Sequence, residues 1–236
     1  VQSARLRDIL LAARDGQPEA LAVADGLGLG LPPARIDTII RVSATLDDFS
    51  ALASAQSELK RTGLVPDDVE LPPTMGIADL CTCAHILDDP LYFLHYLAKR
   101  ERFQGKVPIF GDELDYLGTY LVCGLELPEI EAGTHKGIFS GMSQASDRYY
   151  VGRGIGRDGP KPRPAVEPYI AAILDRLRSR GTPSWTTMGL ALLDAIPPGS
   201  DECVEEALEE LAEQVSDIGP DPDRPGALVA RGACGN

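Results

Sequence analysis

Thr38-Ile39-Ile40-Arg41-Val42-Ser43-Ala44-Thr45-Leu46 is the stretch on which the fold class turns. It is rich in β-branched residues and puts Ile40, Val42 and Ala44 on one face of an extended chain, so a strand is expected over 38–46. Asp47 or Asp48 can cap a helix directly after it. In that helix Phe49, Leu52, Ala53, Gln56 and Leu59 form a stripe, and Gly63 stops it. A strand followed at once by a helix is an α/β-type unit.

Working outward from this unit, helical periodicity dominates. On the N-terminal side, Leu6, Ile9, Leu10 and Ala13 recur at helical spacing behind Ser3, and the Gly-Leu alternation from Asp25 to Pro33 predicts an irregular connection. On the C-terminal side, an acidic loop from Pro66 to Pro73 precedes a helix carried by Ile77, Leu80, Cys81, Ala84 and Leu87. Asp89 with Pro90 then signals another helix start, and Leu91, Phe93, Leu94, Tyr96 and Leu97 give it a broad apolar face. Its last cations, Lys99, Arg100 and Arg102, complement the helix dipole. Asp112 to Val122 forms a further helix, with Gly124 just beyond.

Residues 128–164 read as a glycine-rich basic loop region. Helices are expected at Val166–Ser179, at Pro183–Ala195 with Thr182 as cap, and at Ser200–Val215. The tail 216–236 is flexible in composition, with one apolar patch, Ala227 to Ala230, that fits either a short terminal strand or disorder. The expected fold is therefore α+β and predominantly helical, with six or seven helices, one clear strand at about 38–46 and few other short strands. The expected parts are 1–127 (mixed strand and helix), 128–164, 165–215 (helical) and 216–236. One strand cannot satisfy its own edges, so it is expected to pair with other short strands or with sequence upstream of Val1. A first residue of valine fits a processed product, a trimmed chain or a fragment of something longer.

The 236 residues are 44% hydrophobic and 25% charged, ample for a packed core. No run approaches the roughly 18–20 consecutive apolar residues of a membrane span, and Arg5, Arg7, Asp8, Arg14 and Asp15 leave no signal-peptide core. A cytoplasmic location without membrane contact is the expectation. The net charge of −14 repels a phosphate backbone unless cations are concentrated in one place. Five cysteines, at 81, 83, 123, 203 and 234, read as reduced thiols.

Cys81-Thr82-Cys83-Ala84-His85 is the densest group of soft ligands. On a helix, Cys81 and His85 share a face while Cys83 points elsewhere, which is two ligands where structural zinc needs four. No metal and no cofactor is expected, and apolar helix packing accounts for the cysteines. Gly152-Arg153-Gly154-Ile155-Gly156-Arg157 follows the strand-like Tyr149-Tyr150-Val151 but lacks the third glycine of a dinucleotide fingerprint, since Arg157 stands there. What remains is the densest positive stretch of an acidic chain. Arg148, Arg153, Arg157, Lys161 and Arg163 form a candidate anion-binding set, with two tyrosines at its entrance, suited to nucleic acid or a phosphorylated ligand. The alternative is a solvated loop whose cations pair with nearby acids. Asp112-Glu113-Leu114-Asp115 sets three carboxylates in one turn, where the helix dipole favours them and where a metal or general base is the other option. The acidic stretch 201–215 is a solvated face or, alternatively, a contact for a basic protein partner. No catalytic set is identified.

Several segments together carry a resemblance: Ile39 to Asp47, Gly63-Leu64, Ile77 to Leu80, Pro90 to Arg100 with its Phe93-Leu94-His95-Tyr96-Leu97 block, and Asp112 to Gly118. Across about residues 36–125 the chain resembles the region downstream of the catalytic core in bacterial nuclease-related, restriction-endonuclease-like proteins of unassigned role. The resemblance implies a non-catalytic C-terminal accessory part, with catalytic residues upstream of this chain. A free-standing protein-interaction module using the acidic helix is the alternative. Glu58-Leu59-Lys60 and Pro66-Asp67 supply nuclease-like letters in the wrong order, so no nuclease residue is carried over.

Overall fold

The computed structural model describes residues 2–30, 32–47, 56–66, 69, 71–103, 111–127, 141–157, 159–181, 184–198, 218–220 and 228–230. Among these residues the chain is predominantly helical, with nine α-helices instead of the six or seven expected, because Pro18–Gly26 and Gln144–Gly154 are also helical, and four strands of three residues each. It divides into two compact units, Val1–Pro198 and Gly199–Asn236.

The first unit opens with a helical hairpin, α1 (Gln2–Arg14) and α2 (Pro18–Gly26), closed around Ala13, Ala20 and Ala24 with Ile9, Leu10 and Leu21 packed beside them. Helix α2 was not expected from the sequence. Its signal was Pro18 at the first helical position with Glu19 in the first turn. A 3-10 turn at Pro33–Arg35 leads into the extended chain.

The expected strand at 38–46 is largely corrected. Only β1 (Ser43–Thr45) is strand, paired parallel with β2 (Thr74–Gly76), with Ser43 opposite Thr74 and Thr45 opposite Gly76. Both ends of the partner limit the ladder. Upstream of Thr74 stand Pro72 and Pro73, which have no N–H to donate, and Gly76 is already the N-cap of the next helix, α4 (Ile77–Ile86). Before β1, the backbone N–H of Arg41 turns to the Glu101 carboxylate at 3.5 Å instead of to a strand. Ile40 and Val42 nevertheless pack against the main core, as their alternation predicts. The crossover between the strands contains α3 (Gln56–Arg61), the described part of the expected helix 49–59; residues 48–55 lie outside the described residues.

Helices α4, α5 (Pro90–Phe103) and α6 (Glu113–Cys123) enclose the main core, which includes Met75, Cys83, Ile86, Tyr96, Leu97, Tyr116, Leu117 and Tyr120. Each fully buried leucine here stabilises the fold by roughly 2 kcal/mol. The start signals act as expected. Asp89 Oδ1 accepts the Leu91 N–H at 2.9 Å, and Asp112 Oδ1 accepts the Asp115 N–H at 2.8 Å. Gly124 ends α6 in the left-handed conformation, its N–H on the Tyr120 carbonyl.

A second cluster joins the far side of α5 to α8 (Pro168–Arg180) and α9 (Trp185–Ala195) through Leu91, Ile170, Leu174 and Leu193. Gly189 makes that approach possible, since a Cβ there would stand 2.7 Å from Leu91 Cδ2.

The expected loop region 128–164 is corrected at 144–154, while the described residues from 155 to 164 carry no regular structure. Gln144–Gly154 is a helix, α7, and the strand-like Tyr149-Tyr150-Val151 lies within it. Residues 128–140 lie outside the described residues. Local periodicity is weak here because Gly152 and Gly154 dilute it, and the support is tertiary. Ser146 is buried, Tyr149 packs against the main core, and Asp115 of α6 anchors the turn leading into α7 by accepting the Met142 and Ser143 N–H groups at 2.8 and 3.2 Å.

In the second unit β3 (Ile218–Pro220) pairs antiparallel with β4 (Leu228–Ala230), so the strand option for 227–230 is the one realised. The expected helix Ser200–Val215, and with it the candidate contact for a basic partner, lies outside the described residues. No helix among the described residues is long and apolar enough to cross a membrane.

Candidate functional site

The three carboxylates at 112–115 are drawn in three directions. Asp112 caps its own helix and Asp115 holds the turn before α7. Glu113 turns into the core, where it faces Arg100, Nε to Oε2 at 3.2 Å, and accepts a short hydrogen bond from the Tyr96 hydroxyl. Both ion-pair side chains are 3% exposed. The Arg100 guanidinium also lies 3.7 Å from the centre of the Tyr116 ring. Burial works against the Arg100 charge, but Glu113, with Tyr116 and Tyr96, outweighs it and holds the guanidinium above its usual range. Burial, reinforced by Glu113, raises the neighbouring Cys83 thiol far above the ordinary thiol range, which makes it an inert core residue. Tyr96 is raised in the same way. This layer is structural in its chemistry: both Glu113 carboxylate oxygens are engaged by the fold itself.

A second polar layer was not anticipated. α5 buries His95 at 1% exposure, with Nδ1 2.9 Å from the Tyr120 hydroxyl and Nε2 3.4 Å from Asp194 Oδ1 of α9. Asp194 also receives Lys99 at 2.9 Å and a two-pronged contact from Arg102 at 3.0 and 2.9 Å. Lys99 is further paired with Glu126. The only local hint in the sequence was the spacing of His95 and Lys99, one turn apart on α5; Asp194 is brought in by the packing of α9.

This layer makes stability acid-sensitive. Burial, aided by Lys99, lowers the His95 pKa from 6.5 to about 4, against the opposing pull of Asp194. In the unfolded chain His95 takes up its proton near 6.5, so between pH 6.5 and 4 the unfolded state binds more protons and stability falls as pH falls. The loss expected across that window is about 3 kcal/mol. Asp194 is opposed by burial, but Arg102 and Lys99 hold it at about 2, so its own contribution is lost only as pH drops below the ordinary 3.8. Urea unfolding midpoints measured from pH 7.5 to 4 should decline through the first window. In His95→Gln that decline should flatten, and an unchanged slope would exclude His95 as its source.

The soft-ligand group behaves as helix geometry requires: Cys81 and His85 are exposed on α4 and Cys83 is buried. Among the described residues no group of three or more His, Cys, Asp or Glu side chains could hold a metal ion.

The five candidate cations are placed along α7 and the chain that follows it. Arg148 is exposed and donates to Gln144 Oε1 at 3.3 Å one turn earlier. Arg153 donates to the Tyr149 hydroxyl at 2.9 Å, its guanidinium 5.6 Å from that ring's centre. Arg157 is exposed beyond the helix cap, its N–H on the Gly152 carbonyl. Lys161 is engaged by the body: it pairs with Asp88 and donates to the His85 carbonyl at 3.1 Å. Together with the nearby Arg163, it holds the Asp88 carboxyl below the usual range. Pairing with an acid, the alternative to anion binding, thus describes Lys161, whereas Arg148 and Arg157 stand in solvent.

The two tyrosines meet His85 across the α4–α7 contact. The Tyr150 hydroxyl lies 2.6 Å from His85 Nδ1, and the ring centres of Tyr149 and Tyr150 are 5.9 and 5.7 Å from the imidazole. The chain matches no family model, no curated protein and no solved structure.

Proposed function

We propose that this chain is a non-catalytic accessory part of a bacterial nuclease-like protein and that it contacts an anionic ligand through residues 148–163. The nuclease association rests on the resemblance carried by residues 39–118. The contact rests on one observation: in a chain of net charge −14, Arg148 and Arg157 are presented in solvent on one short helix and just beyond its cap, the same helix that carries the exposed Tyr150. Cations so placed concentrate positive potential where the average surface would repel a polyanion.

Direct binding of the full chain to labelled single-stranded DNA, duplex DNA and inorganic polyphosphate, across a salt series, tests the contact. The double variant Arg148→Ala/Arg157→Ala should keep its unfolding free energy within about 0.5 kcal/mol, as exposed substitutions usually do. It should also flatten the salt dependence of log K by roughly 1 to 2. Absence of binding to any of the three polyanions at low salt would refute the contact. Metal-dependent phosphodiester hydrolysis by the purified chain, abolished by changes within these residues, would refute the accessory assignment.

A further inference from the structure

We infer that the α4–α7 face binds single-stranded nucleic acid by stacking a base against Tyr150 and His85. This inference rests on the anion contact proposed for residues 148–163 and adds the chemistry of the ligand.

Three observations lead to it. First, Tyr150 is 37% exposed, and His85 is exposed as well. Its neighbour Tyr149 faces the main core, so burial explains Tyr149 and leaves Tyr150 without an equivalent role. Second, the exposed rings are held in place. The Tyr150 hydroxyl is hydrogen-bonded to His85, and the Tyr149 ring meets Tyr150 edge-on with centres 5.2 Å apart. An exposed aromatic ring whose rotamer is already fixed loses little side-chain entropy when a flat partner settles on it. Third, cations border the rings on two sides. Arg153 lies over Tyr149, and Lys161, tied to the His85 carbonyl and Asp88, brings the segment carrying Arg163 to the same end of α4. Of the described acids on these two elements and at the end of α4, Asp88 is paired with Lys161, while Asp147 accepts the Ser143 hydroxyl at 2.9 Å and keeps its charge.

Aromatic platforms bordered by cations suit a ligand that offers flat faces and regularly spaced negative charge. Unpaired nucleotides meet both demands. A duplex hides its base faces in its own stack, and a phosphate chain without bases has none, so both should bind through charge alone.

The test uses the full chain and four labelled or competing probes of equal phosphate number: oligothymidylate, the matching ribo-oligomer, a blunt DNA duplex, and an abasic sugar–phosphate strand. Inorganic polyphosphate serves as a fifth, base-free competitor. Either single strand should bind about tenfold or more tightly than the abasic strand, and the two single strands separate DNA from RNA as the preferred source. Tyr150→Ala should remove most of that advantage while leaving abasic binding unchanged, with the chain still unfolding cooperatively at a slightly lower melting temperature. Tyr150→Trp, which keeps a large ring, should restore it. Equal affinity for single strand, duplex and abasic strand would overturn the stacking inference and leave the anion contact standing, as would an unaltered preference in Tyr150→Ala. Failure of every probe to bind at low salt would overturn both.

Discussion

Glu113→Ala should destabilise the chain by about 3 to 5 kcal/mol, the range seen when one partner of a buried ion pair is removed. The effect is large because the Glu113 carboxylate does two things in a layer closed to water. It offsets the Arg100 charge, and it accepts from the Tyr96 hydroxyl. Once it is gone, a guanidinium that is 3% exposed must be desolvated against weaker compensation, and the Tyr96 hydroxyl is left with only the longer contact to the residue-113 carbonyl, at 3.4 Å. Glu113→Gln keeps the shape and one acceptor oxygen, so its loss should be smaller and of the same sign. The double variant Arg100→Met/Glu113→Gln should recover much of the stability, because the charge that needed offsetting is absent. Urea unfolding with an unchanged dependence on denaturant reads all three. A Glu113→Ala loss below 1 kcal/mol would show that the layer is hydrated and not the closed one described.

The second large effect concerns Gly118, at the middle of α6. A Cβ at this position would lie 1.9 Å from the Met142 carbonyl oxygen and 2.5 Å from its carbon, both backbone atoms that no rotamer change can move aside. Gly118→Ala must therefore push the 141–143 turn outward, and the same displacement stretches the two hydrogen bonds that Asp115 accepts from Met142 and Ser143. A destabilisation of about 2 to 3 kcal/mol is expected, as for an overpacked core with an added backbone shift. Hydrogen exchange should locate it: the amides of α7 should lose protection before those of α5. Uniform protection, with stability within 0.5 kcal/mol of the parent chain, would contradict the close approach. Since α7 carries Tyr150 and Arg153, the variant should also weaken the proposed single-strand binding without touching any residue that meets the ligand.

The helices with strong local signals were legible in advance. Asp89-Pro90 and Asp112 announce α5 and α6, Gly124 closes α6, and the apolar stripes of both run to the expected ends, because a capping side chain and a stripe are properties of a few neighbouring residues. The strand was legible as a place and not as a length. Ile40 and Val42 do face the core, but Pro72 and Pro73 on the opposite chain deny the ladder its donors, and no inspection of residues 38–46 alone could show which chain would lie opposite. The helix at Gln144–Gly154 was hidden for a related reason, since two glycines weaken its pattern and the carboxylate anchoring its entry belongs to Asp115, in another helix.

The candidate site divides along the same line. Composition and order alone determined that Arg148, Arg153, Arg157, Lys161 and Arg163 crowd one segment of an acidic chain, that two tyrosines adjoin them, and that Cys81 and His85 share a helical face apart from Cys83. Tertiary structure alone decided which of those cations the body engages, with Lys161 on Asp88, and which aromatic ring faces solvent. It also decided that His95 and Asp194 would meet, and that His85, on a different helix, would hold the Tyr150 hydroxyl. Side-chain periodicity and capping act over a turn or two of chain and are written in adjacent letters. Ion pairing and ring contact act across a few ångströms of space, and the packing of whole helices determines which side chains those few ångströms contain.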